Sequence, residues 1–184
     1  MKNKKEASGS IGYTILFGMA IIMVILVMFL LQKAKLMTHQ HDVDDSLADS
    51  VLASLVADDV YYFETLEGTG TAVIRFKDRN KSYENYLQCM KAAIANTEDF
   101  YYNVQYSQFI LYEVKGNTVT VTSYIGNAGT KTTYTGTLGV VKTPGGEIVS
   151  KTSAYAKLSF DIKSLLDGSY LSKSRDFYGA LEID

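Results

Sequence analysis

The feature that most constrains this chain is the stretch Ile11 to Leu31, IGYTILFGMAIIMVILVMFLL, twenty-one consecutive residues without a charge, an Asn, a Gln or a Pro. As a helix it is roughly 31 Å long, the hydrocarbon thickness of a bilayer, and a helix satisfies its own backbone hydrogen bonds where there is no water. A buried core helix rarely sustains more than about 14 residues of unbroken apolarity. The stretch therefore reads as a transmembrane helix.

The run is longer than the apolar region of a secretory signal, and Gln32-Lys33-Ala34-Lys35-Leu36-Met37 offers no small-x-small cleavage site. An uncleaved signal anchor is expected. Lys2, Lys4 and Lys5 precede the helix, while Lys33 and Lys35 are soon joined by Asp42, Asp44 and Asp45. That bias puts the N-terminus in the cytoplasm and the C-terminal domain outside, in a single-pass protein of the cell membrane.

Residues 36–184 carry 13 basic and 19 acidic side chains, a balance of −6, which is the wrong sign for a nucleic-acid partner. They are enough for one domain with its own core. The single Cys89 rules out an intramolecular disulfide, so that core must hold without a covalent staple.

Four segments follow in order: a leader at 1–10, the transmembrane helix at 11–31, an amphipathic helix continuing it at 32–64, and an α+β domain at 65–184. The amphipathic part rests on Val43, Leu47, Val51 and Leu55, which recur every four residues, widened by Leu52 and Val56 and opposed by Asp42, Asp45 and Asp49. Such a stripe needs a sheet to cover it, and the strand Ala154 to Ile162 is the expected one. Gly68 and Gly70 end the helix; Thr71 to Lys77 reads as a short strand, and a helix runs from Ser82 to about Asn96 with Tyr86, Leu87, Met90 and Ile94 on one face. Ile110, Tyr112 and Val114 then alternate up to a hairpin turn at Lys115-Gly116-Asn117, and Val119, Val121 and Ile125 return. A second pair is expected from Thr132 to Val141, a turn at Thr143-Pro144-Gly145-Gly146-Glu147, and the strand carrying Ala154, Ala156, Leu158, Phe160 and Ile162. Lys157, Ser159, Asp161 and Lys163 alternate with those, so this strand reads as having one dry face and one wet one. A last edge strand is expected at Tyr178 to Ile183.

An apolar helix that continues into an amphipathic one carrying an antiparallel sheet resembles the type IV pilin-like proteins, and more closely the minor pilins or pseudopilins of tight-adherence (Tad) systems. The family's leader has a Gly before the mature N-terminus and a Glu at the fifth mature position. Gly9 stands where the resemblance puts that processing site, which makes Thr14 the fifth residue in place of Glu. The resemblance implies a fold in which the long helix packs on a mainly antiparallel sheet. It also implies a subunit of an envelope assembly, secretion or pilus apparatus, with other pilin-like subunits or assembly proteins as partners.

Candidate chemistry is sparse. His39 and His41 lie about 200° apart on a helix and cannot share an ion, while His41 and Asp45, four apart, can. Solvated helix surface is the simpler account of both. Cys89 reads as a small buried hydrophobe. The fourteen tyrosines suit either half-exposed strands or an adhesive surface. No catalytic, cofactor or metal site emerges, and a non-catalytic, membrane-anchored subunit is the expected function. Its helices would meet through Gly12, Gly18 and Ala20, where small side chains allow close approach, and homo-oligomers through that helix fit the same reading. A membrane-anchored binding or adhesion module is the alternative.

Overall fold

The computed structural model of the chain describes residues 3–96, 101–164 and 168–182, with side chains from residue 11 onward except at positions 36, 39 and 40. Helix α1 spans Asn3–Ser54, and the chain divides into two compact units, Met1–His41 and Asp42–Asp184. In the first unit, Ile11–Lys35 is 25 residues of helix with a mean hydropathy of 3.0, and no part of its most apolar window is buried. Among the described residues it is the one helix long and apolar enough to span a membrane, as a single-pass anchor requires.

The second unit is α+β. From Asp42 the helix is amphipathic: Val43, Leu47 and Val51 are buried, while Asp42, Asp45 and Asp49 are exposed. It stops at Ser54, ten residues before the expected end, because Val56 to Asp58 is taken up by another segment. Asp58 N donates to Arg75 O and Lys77 N to Val56 O, both at 3.0 Å, and Ala57 bridges Phe76. Leu55 therefore lies beyond the helix and is half-buried, and Leu52 and Val56 are exposed rather than part of the stripe. Asp58 then caps a separate helix, α2 (Asp59–Thr69), by accepting from Tyr61 N, and Gly70 ends it with φ 69°. The expected strand Thr71 to Lys77 is irregular apart from that one bridge.

Helix α3 spans Arg79–Ala95, three residues earlier than expected, because Asp78 Oδ1 caps it at Asn80 N (2.8 Å) and Lys81 N (3.1 Å). Ser82, Tyr86 and Met90 form its buried face. Cys89 is exposed, not buried: it is one position, about 100°, round from Met90.

The sheet has five strands: β1 (Tyr101–Lys115), β2 (Thr118–Ile125), β3 (Thr130–Thr137), β4 (Ser153–Lys163) and β5 (Tyr170–Ala180). Their order is β3-β2-β1-β4-β5, every neighbour antiparallel. The Gly116-Asn117 turn joins β1 to β2. The expected pairing of the Thr132 strand with the Ala154 strand does not occur, since β3 pairs with β2 and two strands separate it from β4. The turn at Thr143 instead closes a small loop of its own, Lys142 bridging Ile148. Strand β5 starts eight residues before the expected edge strand, whose Ile183 lies outside the described residues.

Both faces of the sheet are covered. On one, Phe109 pairs with Tyr124 and Ala156, and Leu111 with Thr122 and Ala154. Leu158, Phe160 and Ile162 continue that buried row. Tyr86 of α3 stacks on Phe109 with ring centroids 4.6 Å apart, and Tyr83 on Tyr124 at 4.2 Å. The amphipathic part of α1 reaches β5, where Asp44 pairs with Arg175 at 2.9 Å. A Cβ built on Gly179 would lie 3.6 Å from both Leu52 and Leu55, so glycine here allows a close approach. The opposite face buries Ile110, Tyr112, Val119, Val121 and Tyr155 under Val141 and Val149 from the loop between β3 and β4. The wet face expected for β4 therefore begins only at Lys157; Ser153 and Tyr155 before it are buried.

Candidate interaction surfaces

The membrane-length segment offers apolar side chains all round. Gly12 and Gly18 have nothing within 4 Å of where a Cβ would stand, and Ala20 is exposed. At about 100° per residue Gly12 and Ala20 fall within about 80° of each other, while Gly18 is about 120° from Gly12. One partner helix can thus meet Gly12 and Ala20 together, with Gly18 on another side. Gly9 falls in α1, and its surroundings and the His39 side chain lie outside what is described. His41 and Asp45 sit four residues apart on the exposed side of α1. Among the described residues no group of three His, Cys, Asp or Glu side chains comes together.

Two of the concavities on the sheet domain bring together residues that sequence reasoning did not connect. The first, about 410 Å³, opens where α3 starts and is lined by Arg75, Lys77, Arg79 and Lys131 together with Asp78, Asn80 and Glu113. Glu113 belongs to the dry face of β1 and is buried, yet it keeps its charge balanced by three donors. Phe76 N reaches its Oε1 at 3.0 Å, Arg79 Nε reaches Oε2 at 2.6 Å, and Arg79 Nη2 completes a fork. Arg75 Nε and Nη2 both donate to Asp58 Oδ2, at 2.9 and 2.7 Å, and its guanidinium lies 3.6 Å from the centre of the Tyr61 ring. That guanidinium, helped by Tyr61 N, holds the Asp58 carboxyl below its usual range. Lys131 donates to a neutral atom, Asn80 Oδ1, at 2.9 Å, alongside the Tyr124 hydroxyl at 3.0 Å. The cleft thus ties α2, α3, β1 and β3 together and presents Lys77 and Lys131 to solvent beside Asp78.

The second concavity, about 470 Å³, lies between residues 71–74 and the ends of β1 and β5. Ala72, Val73, Ile74, Val114 and Leu181 give it an apolar floor, and Lys151 and Glu182 pair across its rim at 2.6 Å. Their contact raises the lysine pKa and lowers that of the glutamate. Thr152 sets the floor by donating to Ile74 O at 2.7 Å and accepting from Val114 N at 3.1 Å. A sequence gives no sign of such a contact, since its partners are separated by 38 and 78 residues.

The tyrosines divide by position. Tyr86 and Tyr112 are core residues whose hydroxyls burial pushes well above the usual value, and burial, with Asp42 and Asp44 near it, pushes Tyr101 up to about 12. Tyr134 on β3 and Tyr170 on β5 are exposed. No known protein family, curated protein or solved structure matches this chain.

Proposed function

We propose that this chain is a non-catalytic, membrane-anchored subunit of pilin-like type, one component of an envelope assembly or of a Tad-like secretion or pilus apparatus. One observation carries the reading. Within the single helix α1, no residue of the most apolar window of Ile11–Lys35 is buried, whereas the segment from Asp42 buries Val43, Leu47 and Val51 in its own domain. A helix so divided supplies a membrane-length segment and, further along, a face of the folded domain. Lateral packing in the bilayer must rest on shape and close contact, because lipid is as apolar as leucine, and Gly12, Gly18 and Ala20 are the small residues that would permit it. The basic leader and the acids after the helix favour the N-terminus in the cytoplasm and the sheet domain outside.

Cysteines placed singly from Gly12 to Leu31 should cross-link in native membranes with a helical period, to a second copy or to a partner subunit. Absence of adducts at every position, with a sheet domain that captures a ligand unaided, would instead establish an anchored binding module. The two clefts of the domain give that second reading its footing.

A further inference from the structure

We propose that the cleft beside residues 71–74 is a strand-addition site, which takes an uncharged, extended segment of a partner protein carrying an apolar side chain. The inference rests on the sheet domain alone and stands apart from the membrane anchor. Its ground is Thr71 to Lys77, a segment that reads as a strand in the sequence and that the fold pairs on one side only.

The backbone groups of that segment alternate between two sides, as those of an extended chain do. Val73 N donates to Thr65 Oγ1 at 3.0 Å, Asp58 N donates to Arg75 O, and Lys77 N donates to Val56 O. The odd-numbered residues thus face α2 and the turn before it. The even-numbered ones face the sheet: Ile74 O accepts from Thr152 Oγ1 at 2.7 Å, and Phe76 N donates to Glu113 Oε1 at 3.0 Å. Ala72 continues the alternation, so its N–H and C=O are directed to the sheet side, where the cleft lies. Among the described residues neither group meets a hydrogen-bond partner, and nor does Ile74 N.

An extended peptide satisfies all three groups in one register. The residue opposite Ala72 exchanges two bonds with it, as in an antiparallel ladder, and the C=O two positions away accepts from Ile74 N. Val114 and Leu181 in the cleft floor offer burial to an apolar side chain of that peptide. The rim sets the charge preference: Lys151 and Glu182 neutralise each other at 2.6 Å, so the site complements an uncharged segment. Thr65, Thr152 and Glu113 hold the receiving segment from both sides, and its open groups are fixed before a partner arrives.

The test uses the full-length chain in detergent and, as probe, the capped hexapeptide acetyl-TVTVTV-amide titrated to saturation. Hydrogen exchange of the Ala72 and Ile74 amides should slow at least about fivefold, while β3 and β5 exchange as before. Ala72→Pro deletes an N–H that the fold leaves unused, and should weaken binding about fivefold, the loss of one hydrogen bond, with thermal unfolding unchanged. The fully N-methylated peptide keeps the side chains and offers no donor; it should bind at least about fivefold more weakly to the unaltered chain, which carries the test should Ala72→Pro unfold. Unchanged exchange at Ala72 and Ile74 would overturn the proposal. So would slowing confined to the edge of β3 or β5, or equal binding of the N-methylated peptide, which would reduce the cleft to an apolar contact.

Discussion

The two faces of the sheet are both dry at their centre, but they are kept dry by different means. One is covered by α1 and α3, whose buried residues Val43, Leu47 and Val51, and Ser82, Tyr86 and Met90, recur every four positions. The other is covered by the segment between β3 and β4, which delivers Val141 and Val149 from a loop with no period. A helix announces the surface it will cover in the spacing of its own residues, whereas a loop reaches a face by turns whose residues say nothing of where they arrive. Hence the first face was foreseeable and the second was not.

Substitutions that strike one face at a time break this comparison, beginning with the largest effect. Leu47→Asp removes a packed side chain and buries a charge on the helix face, and is expected to destabilise the sheet domain by about 4 kcal/mol or more. Unchanged thermal unfolding of the full-length chain in detergent would show that α1 contributes nothing to that face. On the opposite face Val149→Ala should cost about 2 kcal/mol, since Val149 is fully buried. A loss below about 0.5 kcal/mol would mean that the loop is a loose lid and not a packed layer.

Tyr86→Phe should act in the other direction. Its hydroxyl is buried and meets no hydrogen-bond partner among the described residues, so its removal is expected to stabilise the domain by about 1 kcal/mol, read as an upward shift of the melting temperature. A loss of stability would reveal a partner for that hydroxyl.

A pH dependence is shared by both faces and is felt only in alkali, leaving stability near neutrality unchanged. Burial raises Tyr86 on the helix face and Tyr112 on the loop face, and raises Tyr101 from 10.0 to about 12. A phenol whose pKa is raised by folding favours the protonated native state. Its contribution is complete below pH 10 and is lost as pH rises through 12. Tyrosinate absorbance should lag the free-phenol curve until the domain unfolds; titration of all tyrosines near pH 10 would contradict the burial.

Particular residues mark how much of this was legible. The alternation of Ile110, Tyr112 and Val114 and the Gly116-Asn117 turn follow from local chemistry, and the structure has them; Gly70 does end a helix, but α2 rather than the long one, and Gly68 lies within it. The break at Ser54 was hidden, because residues 36–63 contain no Gly or Pro and only the bridge between Ala57 and Phe76 makes the chain leave the helix. Glu113 stands between Tyr112 and Val114 with nothing in the sequence to mark it, and only Arg79 and Phe76 N make it the buried junction of the cleft.

By itself, the sequence determined the membrane-length helix, the amphipathic stripe that follows it, and the antiparallel character of the domain. Each is a periodicity or a length, and those are set by backbone geometry within one element. Only the tertiary structure decided the strand order, the second covered face, the exposure of Cys89 and of β3, and the assembly of Arg75, Arg79, Lys131 and Glu113 around one cleft. These depend on which distant segments win the competition for each buried face and each backbone partner, and that free-energy comparison is made across the whole fold.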